Sequence, residues 1–206
     1  MLPMHDEAFR PDDDLLGLDH RLKPSVMVVT GEVRQGKTTF LQTLLQPLAR
    51  QNISVGGFLA LGVHENDERV GFDLLDIAAG QTIPLCTIRP LPGAVQTGRF
   101  YFFEAGMEKG RALLTPEVNR LNDLIFIDEL GPMELNGKGW SSSVENLIRH
   151  TITPQVWVVR RPLVEKMCSK WDIGQTFIID VGTDTAEAAM EVLCDMVEAF
   201  RATERR

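Results

Sequence analysis

The stretch from Ser25 to Leu45, SVMVVTGEVRQGKTTFLQTLL, constrains this chain more than any other. Val26 to Thr30 is apolar and β-branched, the pattern of a buried strand. Gly31 opens GEVRQGKT, which fits the phosphate-binding loop pattern of two glycines followed by Lys and Ser or Thr. Phe40, Leu41, Leu44 and Leu45 then recur at helical spacing, so a helix begins where the motif ends. Gly31 and Gly36 allow a tight turn that aims backbone N–H groups inward. The first turn of the helix adds unpaired N–H groups and a partial positive charge. The expected phosphate-binding set is Gly31, Glu32, Val33, Arg34, Gln35, Gly36, Lys37, Thr38 and Thr39. Within it, Lys37 reaches the terminal phosphates and the Thr38 hydroxyl is a ligand for Mg²⁺. A nucleoside triphosphate is therefore the expected ligand.

Composition narrows the setting. A chain of 206 residues with 44% hydrophobic and 24% charged residues suits one α/β domain, with or without an excursion. A net charge of −8 argues against a broad nucleic-acid surface, so no nucleic-acid partner is expected. The anionic ligand is attracted locally, by the loop. Cys86, Cys168 and Cys194 are scattered and lack metal spacing, so they read as reduced thiols of a cytoplasmic protein without zinc. No long apolar run suggests a membrane span, and the N-terminus lacks the apolar core of a signal peptide.

Residues 1–24 read as a polar, acidic extension, with Asp12, Asp13 and Asp14 in a row. Residues 25–206 read as a single domain. After the first helix, Ile53–Leu61 is a strand whose Gly56–Gly57 pair suggests a bend or a close backbone approach. A turn-rich segment, His64 to Glu68, leads to Arg69–Ile77, and the spacing predicts a β-hairpin with Gln81–Ile88 as a third strand. The excursion over 55–88 is expected to add an antiparallel edge. Pro90 and Pro92 mark a loop, Gly98–Phe103 a short aromatic strand, and Ala105–Leu114 a helix. Pro116 opens another helix at its first turn. Further on come helices at Ser141–His150, Pro162–Trp171 and Thr185–Arg201, with strands at Gln155–Arg160 and Thr176–Val181. Such alternation predicts a largely parallel sheet covered on both faces.

The second chemical stretch is Leu124–Leu135, LIFIDELGPMEL. Its apolar run ends at Asp128, at the carboxyl end of a buried strand, where ligands bind in open α/β sheets. An Asp there is the usual partner of a phosphate-binding loop, holding Mg²⁺ directly or through water beside Thr38. Glu129 follows and is placed to orient or deprotonate an attacking water. The competing reading makes the pair a helix cap or a solvated loop.

These pieces carry a resemblance. GEVRQGKTT at 31–39, GF at 57–58, RVGFDLLD at 69–76 and LIFIDELGPMEL at 124–135 resemble the small P-loop nucleoside-triphosphatase family. That family includes the human cancer-related nucleoside-triphosphatase and thermostable archaeal and bacterial relatives. Order and spacing agree over residues 25–180, and Gly71, Phe72 and Asp73 are the more telling positions. The resemblance implies a RecA-like α/β fold and slow hydrolysis of several nucleoside triphosphates with little base preference. It implies Lys37 and Thr38 as phosphate and Mg²⁺ contacts, Asp128 as metal partner and Glu129 as the water-activating acid. Two departures stand out. Gly62, Val63 and His64 replace a usual Glu-Val-Arg, and Gly182, Thr183 and Asp184 replace a usual Asn-Arg. Arg34, Arg160 or Arg161 are the candidates to supply the missing charge.

Mg²⁺-dependent hydrolysis is the leading expectation, with Glu129 and Lys37 as catalytic residues. A kinase using the same loop, with the hairpin region as acceptor pocket, is the second. A nucleotide-binding accessory module with little turnover, docking a protein partner, is the third. A guanine-specific switch is disfavoured because no Asn-Lys-x-Asp motif occurs.

Overall fold

The computed structural model describes residues 22–205, so residues 1–21 of the acidic extension expected over 1–24 lie outside the described residues. The described residues form one nine-stranded mixed sheet between two layers of helix. In chain order the strands are β1 (Val26–Thr30), β2 (Val55–Glu65), β3 (Glu68–Asp76), β4 (Gln81–Thr87), β5 (Val95–Thr97), β6 (Phe100–Phe102), β7 (Leu124–Leu130), β8 (Gln155–Val159) and β9 (Thr176–Asp180). The helices are α1 (Lys37–Arg50), α2 (Glu104–Leu113), α3 (Pro116–Asn119), α4 (Pro132–Leu135), α5 (Ser141–His150), α6 (Val164–Cys168) and α7 (Ala186–Glu204). Across the sheet the strand order is β5-β6-β4-β3-β2-β7-β8-β1-β9.

Alternation along β1 shows why the sheet is covered on both faces. Val26 and Val28 enter a core with Met107 of α2, Trp140 just before α5, Val144 and Leu147 of α5, and Met167 of α6. Met27 and Val29 enter the opposite core, against Leu41, Leu44 and Leu48 of α1 and Leu193 and Val197 of α7. All five residues of β1 are buried, as a central parallel strand requires.

Strands β2, β7, β8, β1 and β9 pair in parallel, which is the part that alternation of strand and helix dictates. The other half is antiparallel and runs on from β2 through β3, β4, β6 and β5. The eleven-residue β2 serves both halves, pairing β7 over Val55–Phe58 and β3 from Phe58 onward. At the crossover Gly57 has φ 80°, and a Cβ there would lie 2.0 Å from the Phe126 carbonyl oxygen. This is the close backbone approach that the glycine pair suggests.

The excursion over 55–88 therefore extends the main sheet. Its turn is tighter than the sequence suggests: only Asn66 and Asp67 lie outside the strands, both at positive φ, the conformation of a two-residue hairpin turn. Gly71 and Phe72 lie on β3, opposite Val63 and Gly62. Two elements were not anticipated. β5 follows the Pro90–Pro92 loop, and α4 follows the strand that ends at Leu130. The helix expected over Pro162–Trp171 is shorter, a 3₁₀ turn at Arg161–Leu163 followed by α6, which stops at Cys168. No helix among the described residues is long and apolar enough to cross a membrane.

Candidate functional site

The carboxyl ends of β1 and β7 bring the two chemical stretches together. β1 runs into the loop Gly31–Gly36, and α1 begins at Lys37. Gly36 takes φ 85° with nothing within 4 Å of a built Cβ, so backbone conformation and not space demands glycine there. Gln35 Oε1 accepts a 2.6 Å hydrogen bond from the Glu32 amide and closes the loop on itself. The Lys37 ammonium, almost wholly buried, donates to the carbonyls of Gly31 (3.1 Å) and Glu32 (2.7 Å). Burial holds its pKa below the ordinary lysine value, against the pull of Glu129; the nearby Arg160 guanidinium lowers it further.

Thr38 Oγ1 donates to Asp128 Oδ2 at 2.6 Å, linking the start of α1 to β7 across ninety positions of sequence. The same oxygen accepts from the Ala60 amide at 3.3 Å. Asp128 is 3% exposed, and burial pushes its carboxyl up to about 7 despite the Thr38 hydrogen bond. A buried carboxylate beside a hydroxyl, short of positive charge, is a hard-oxygen pair that a divalent cation suits. No group of three His, Cys, Asp or Glu among the described residues forms a metal cage. The residues thus fit Mg²⁺ held by one or two protein oxygens with phosphate and water completing its shell, and do not fit a structural metal.

Strict alternation along an extended strand would send Glu129 to the face opposite Asp128. The structure differs: both residues line the same cavity. The register with β8 gives the reason. Asp128 pairs with Val158 and Leu130 with Val159, so Glu129 is the extra residue of a bulge and its side chain is re-aimed. The peptide joining Asp128 to Glu129 is cis. Glu129 Oε1 meets the Arg160 guanidinium at 2.5 Å, whereas Arg161 turns to Asp180 and Glu32 on the other side of the loop. Of the candidate arginines, Arg160 and Arg34 line the cavity and Arg161 does not. Thr39 is also outside its lining.

The cavity measures about 600 Å³ and extends from the phosphate-binding loop under the antiparallel half of the sheet. Its far walls come from Arg69 and Phe72, within the hairpin region offered as an acceptor pocket, and from Phe100 and Trp140, which were not singled out. Arg69 pairs across from His64, one of the positions that departs from the expected Glu-Val-Arg, so a guanidinium still reaches this end of the hairpin. Glu134, 4% exposed, was also missed. Its carboxylate accepts from the amides of Gly131 (2.8 Å) and Trp140 (3.0 Å) and fixes the segment that carries the indole. A signal for it existed in Gly-Pro-Met-Glu, where Pro132 and Glu134 suit the first and third positions of a helix.

With the geometry in view, comparisons with known proteins converge. A model of the NTPase family matches residues 26–185. The chain belongs to this family. Among curated members, nucleoside-triphosphatase THEP1 from Sulfolobus acidocaldarius is 32% identical over 163 residues, covering 77% of this chain and 87% of that protein. THEP1 from Saccharolobus solfataricus is 31% identical over 133 residues, covering 65% of this chain and 74% of its own. The crystal structure of THEP1 from Aquifex aeolicus superposes with a TM-score of 0.60 over 85% of this chain and 98% of that one, at 20% identity. That last likeness is one of fold, the P-loop α/β fold described above. Within the NTPase family this chain is a divergent member.

Proposed function

We propose that this protein hydrolyses nucleoside triphosphates, ATP, GTP or others, to the diphosphate and phosphate, in a Mg²⁺-dependent reaction at the cavity edge formed by α1 and β7. The observation that carries the reading is the Thr38–Asp128 hydrogen bond of 2.6 Å, made beside Lys37 and Glu129 in one cavity. Membership of a family whose curated relatives are named nucleoside-triphosphatases supports the same reading.

In this mechanism the backbone amides of residues 31–39 cradle the phosphates, and the Lys37 ammonium exchanges its carbonyl partners for terminal phosphate oxygens. Thr38 and Asp128 provide the oxygens for Mg²⁺, which, when bound, would neutralise charge on the terminal phosphates. The Glu129 carboxylate orients the attacking water and accepts its proton as the water oxygen bonds to phosphorus and the bridging P–O bond breaks. Arg160 holds Glu129 and adds positive charge at the same edge. Asp128, buried and bonded, and Glu129, half-exposed and bulged, thus take separate tasks.

Phosphate release measured with each nucleotide, with and without Mg²⁺ and with no acceptor added, tests the proposal. Metal-dependent release abolished in Lys37→Ala is the expected result. Release only on adding an acceptor would favour the kinase, and nucleotide binding without release the accessory module.

A further inference from the structure

Hydrolysis requires room for the terminal phosphate and one attacking water, yet the cavity measures about 600 Å³, the size of a site for a whole small molecule. Its two ends differ in chemistry. Lys37, Thr38, Asp128, Glu129 and Arg160 form the polar end. The other lobe is built by the antiparallel half of the sheet and by α2, and it is apolar and aromatic. Phe72 and Phe100 meet edge to face at 5.3 Å, and Trp140 is backed by Phe58 at 5.0 Å. Cys86 belongs to this wall as an inert group, since burial pushes its thiol up to about 12.

One cation in this lobe has capacity to spare. The Arg69 guanidinium lies over the Phe72 ring at 5.1 Å, and its Nε is buried with no hydrogen-bond partner among the described residues. Arg99, stacked on Phe100 at 5.2 Å, is by contrast occupied by Glu68 and by the Arg69 carbonyl. A guanidinium at the wall of a space of ligand size, beside aromatic faces and with no carboxylate partner among the described residues, describes a site for an anionic group.

We propose that the apolar lobe binds a second small molecule, a flat aromatic body carrying one anionic group, while a nucleotide occupies the phosphate-binding loop. The aromatic body packs against Phe72, Phe100 and Trp140, and the anionic group pairs with the Arg69 guanidinium at the cavity wall. The inference rests on the proposed hydrolase reading for where the terminal phosphate lies, namely at the Thr38–Asp128 end. Gly31, Glu32, Gln35, Gly36 and Thr39 of the phosphate-binding loop lie outside the lining that the lobe shares with Lys37 and Thr38, and the nucleotide, in this proposal, lies along that loop and leaves the lobe free. Its occupant shares one enclosure with Glu129 and Arg160, and so changes the rate of phosphate release.

Anilinonaphthalene sulfonate, an aromatic body with one sulfonate, is a suitable probe for the full chain. Its fluorescence should report one saturable site that persists at saturating Mg-ADP. Arg69→Ala and Phe100→Ala should each weaken binding by about tenfold or more, with Arg69→Lys intermediate. A variant that merely loosened the fold would bind more of this dye, so a weakened site is separable from structural damage. Displacement by Mg-ADP, which would make the lobe the base site, overturns the proposal, as does parental affinity in both alanine variants. In the parent the dye should also alter phosphate release, an effect absent in Arg69→Ala. The binding result stands or falls by itself if phosphate release is absent altogether.

Discussion

Lys37 keeps its ammonium on the carbonyls of Gly31 and Glu32, where incoming phosphate oxygens compete for the same protons. Its contacts are local to the loop, so Lys37→Ala should weaken Mg-nucleotide binding by at least about tenfold while the unfolding midpoint without nucleotide is unchanged. Calorimetric titration and thermal unfolding check the two halves; unchanged affinity would remove the loop from the account. Thr38→Ala should act through the metal, lowering affinity with Mg²⁺ present and leaving metal-free binding as it was. An equal loss under both conditions would contradict the role given to its hydroxyl. Lys37, Thr38 and Asp128 were legible in the sequence because each sits in a contiguous motif with a fixed strand or helix beside it. Arg69 and Phe100 were not. Their place in the cavity depends on the pairing of β3, β4 and β6, where Phe72 faces Cys86 and Cys86 faces Phe102, and no local pattern states that row.

At the scale of elements, the ends of β2, β7 and α7 are tied by one carboxylate. Asp123 accepts from the Ser54 amide (2.8 Å) and hydroxyl (2.7 Å) and from Arg201 Nε (2.7 Å). Burial alone would raise its pKa, but Arg201 and Ser54 more than offset this and hold it below the ordinary 3.8. A carboxylate with a lowered folded pKa stabilises the fold above its ordinary range and loses that contribution as pH falls through the lowered value. Asp123→Asn should therefore cost about 1–3 kcal/mol at neutral pH, with parent and variant converging as pH drops below 3.8. Urea denaturation at a series of pH values measures this, and a difference independent of pH would contradict it. Most elements were readable from period and punctuation: Pro116 at a helix start, Thr185 capping Ala188 at the start of α7, the buried run of β7. The bulge at Glu129 was not, because a register break depends on the partner strand.

At the scale of the whole molecule, the parallel half follows from the order of strands and helices, and it sets the phosphate-binding loop and Asp128 at one edge. The antiparallel half was legible as a hairpin and a third strand. Its continuation through β6 to β5, and with it the large cavity, follows from long-range pairing that three-residue strands do not announce. This architecture gives the adjacent acids of β7 separate surroundings, Asp128 buried against α1 and Glu129 at the cavity edge beside Arg160. The account turns on that separation, and Glu129→Gln tests it most directly. Binding of Mg-triphosphate should persist while phosphate release falls by about 10²–10⁴-fold, the effect of a lost general base, so that the variant traps uncleaved nucleotide. Release at the parental rate, measured alongside binding in the same preparation, would contradict the account and leave Glu129 as a partner of Arg160 alone.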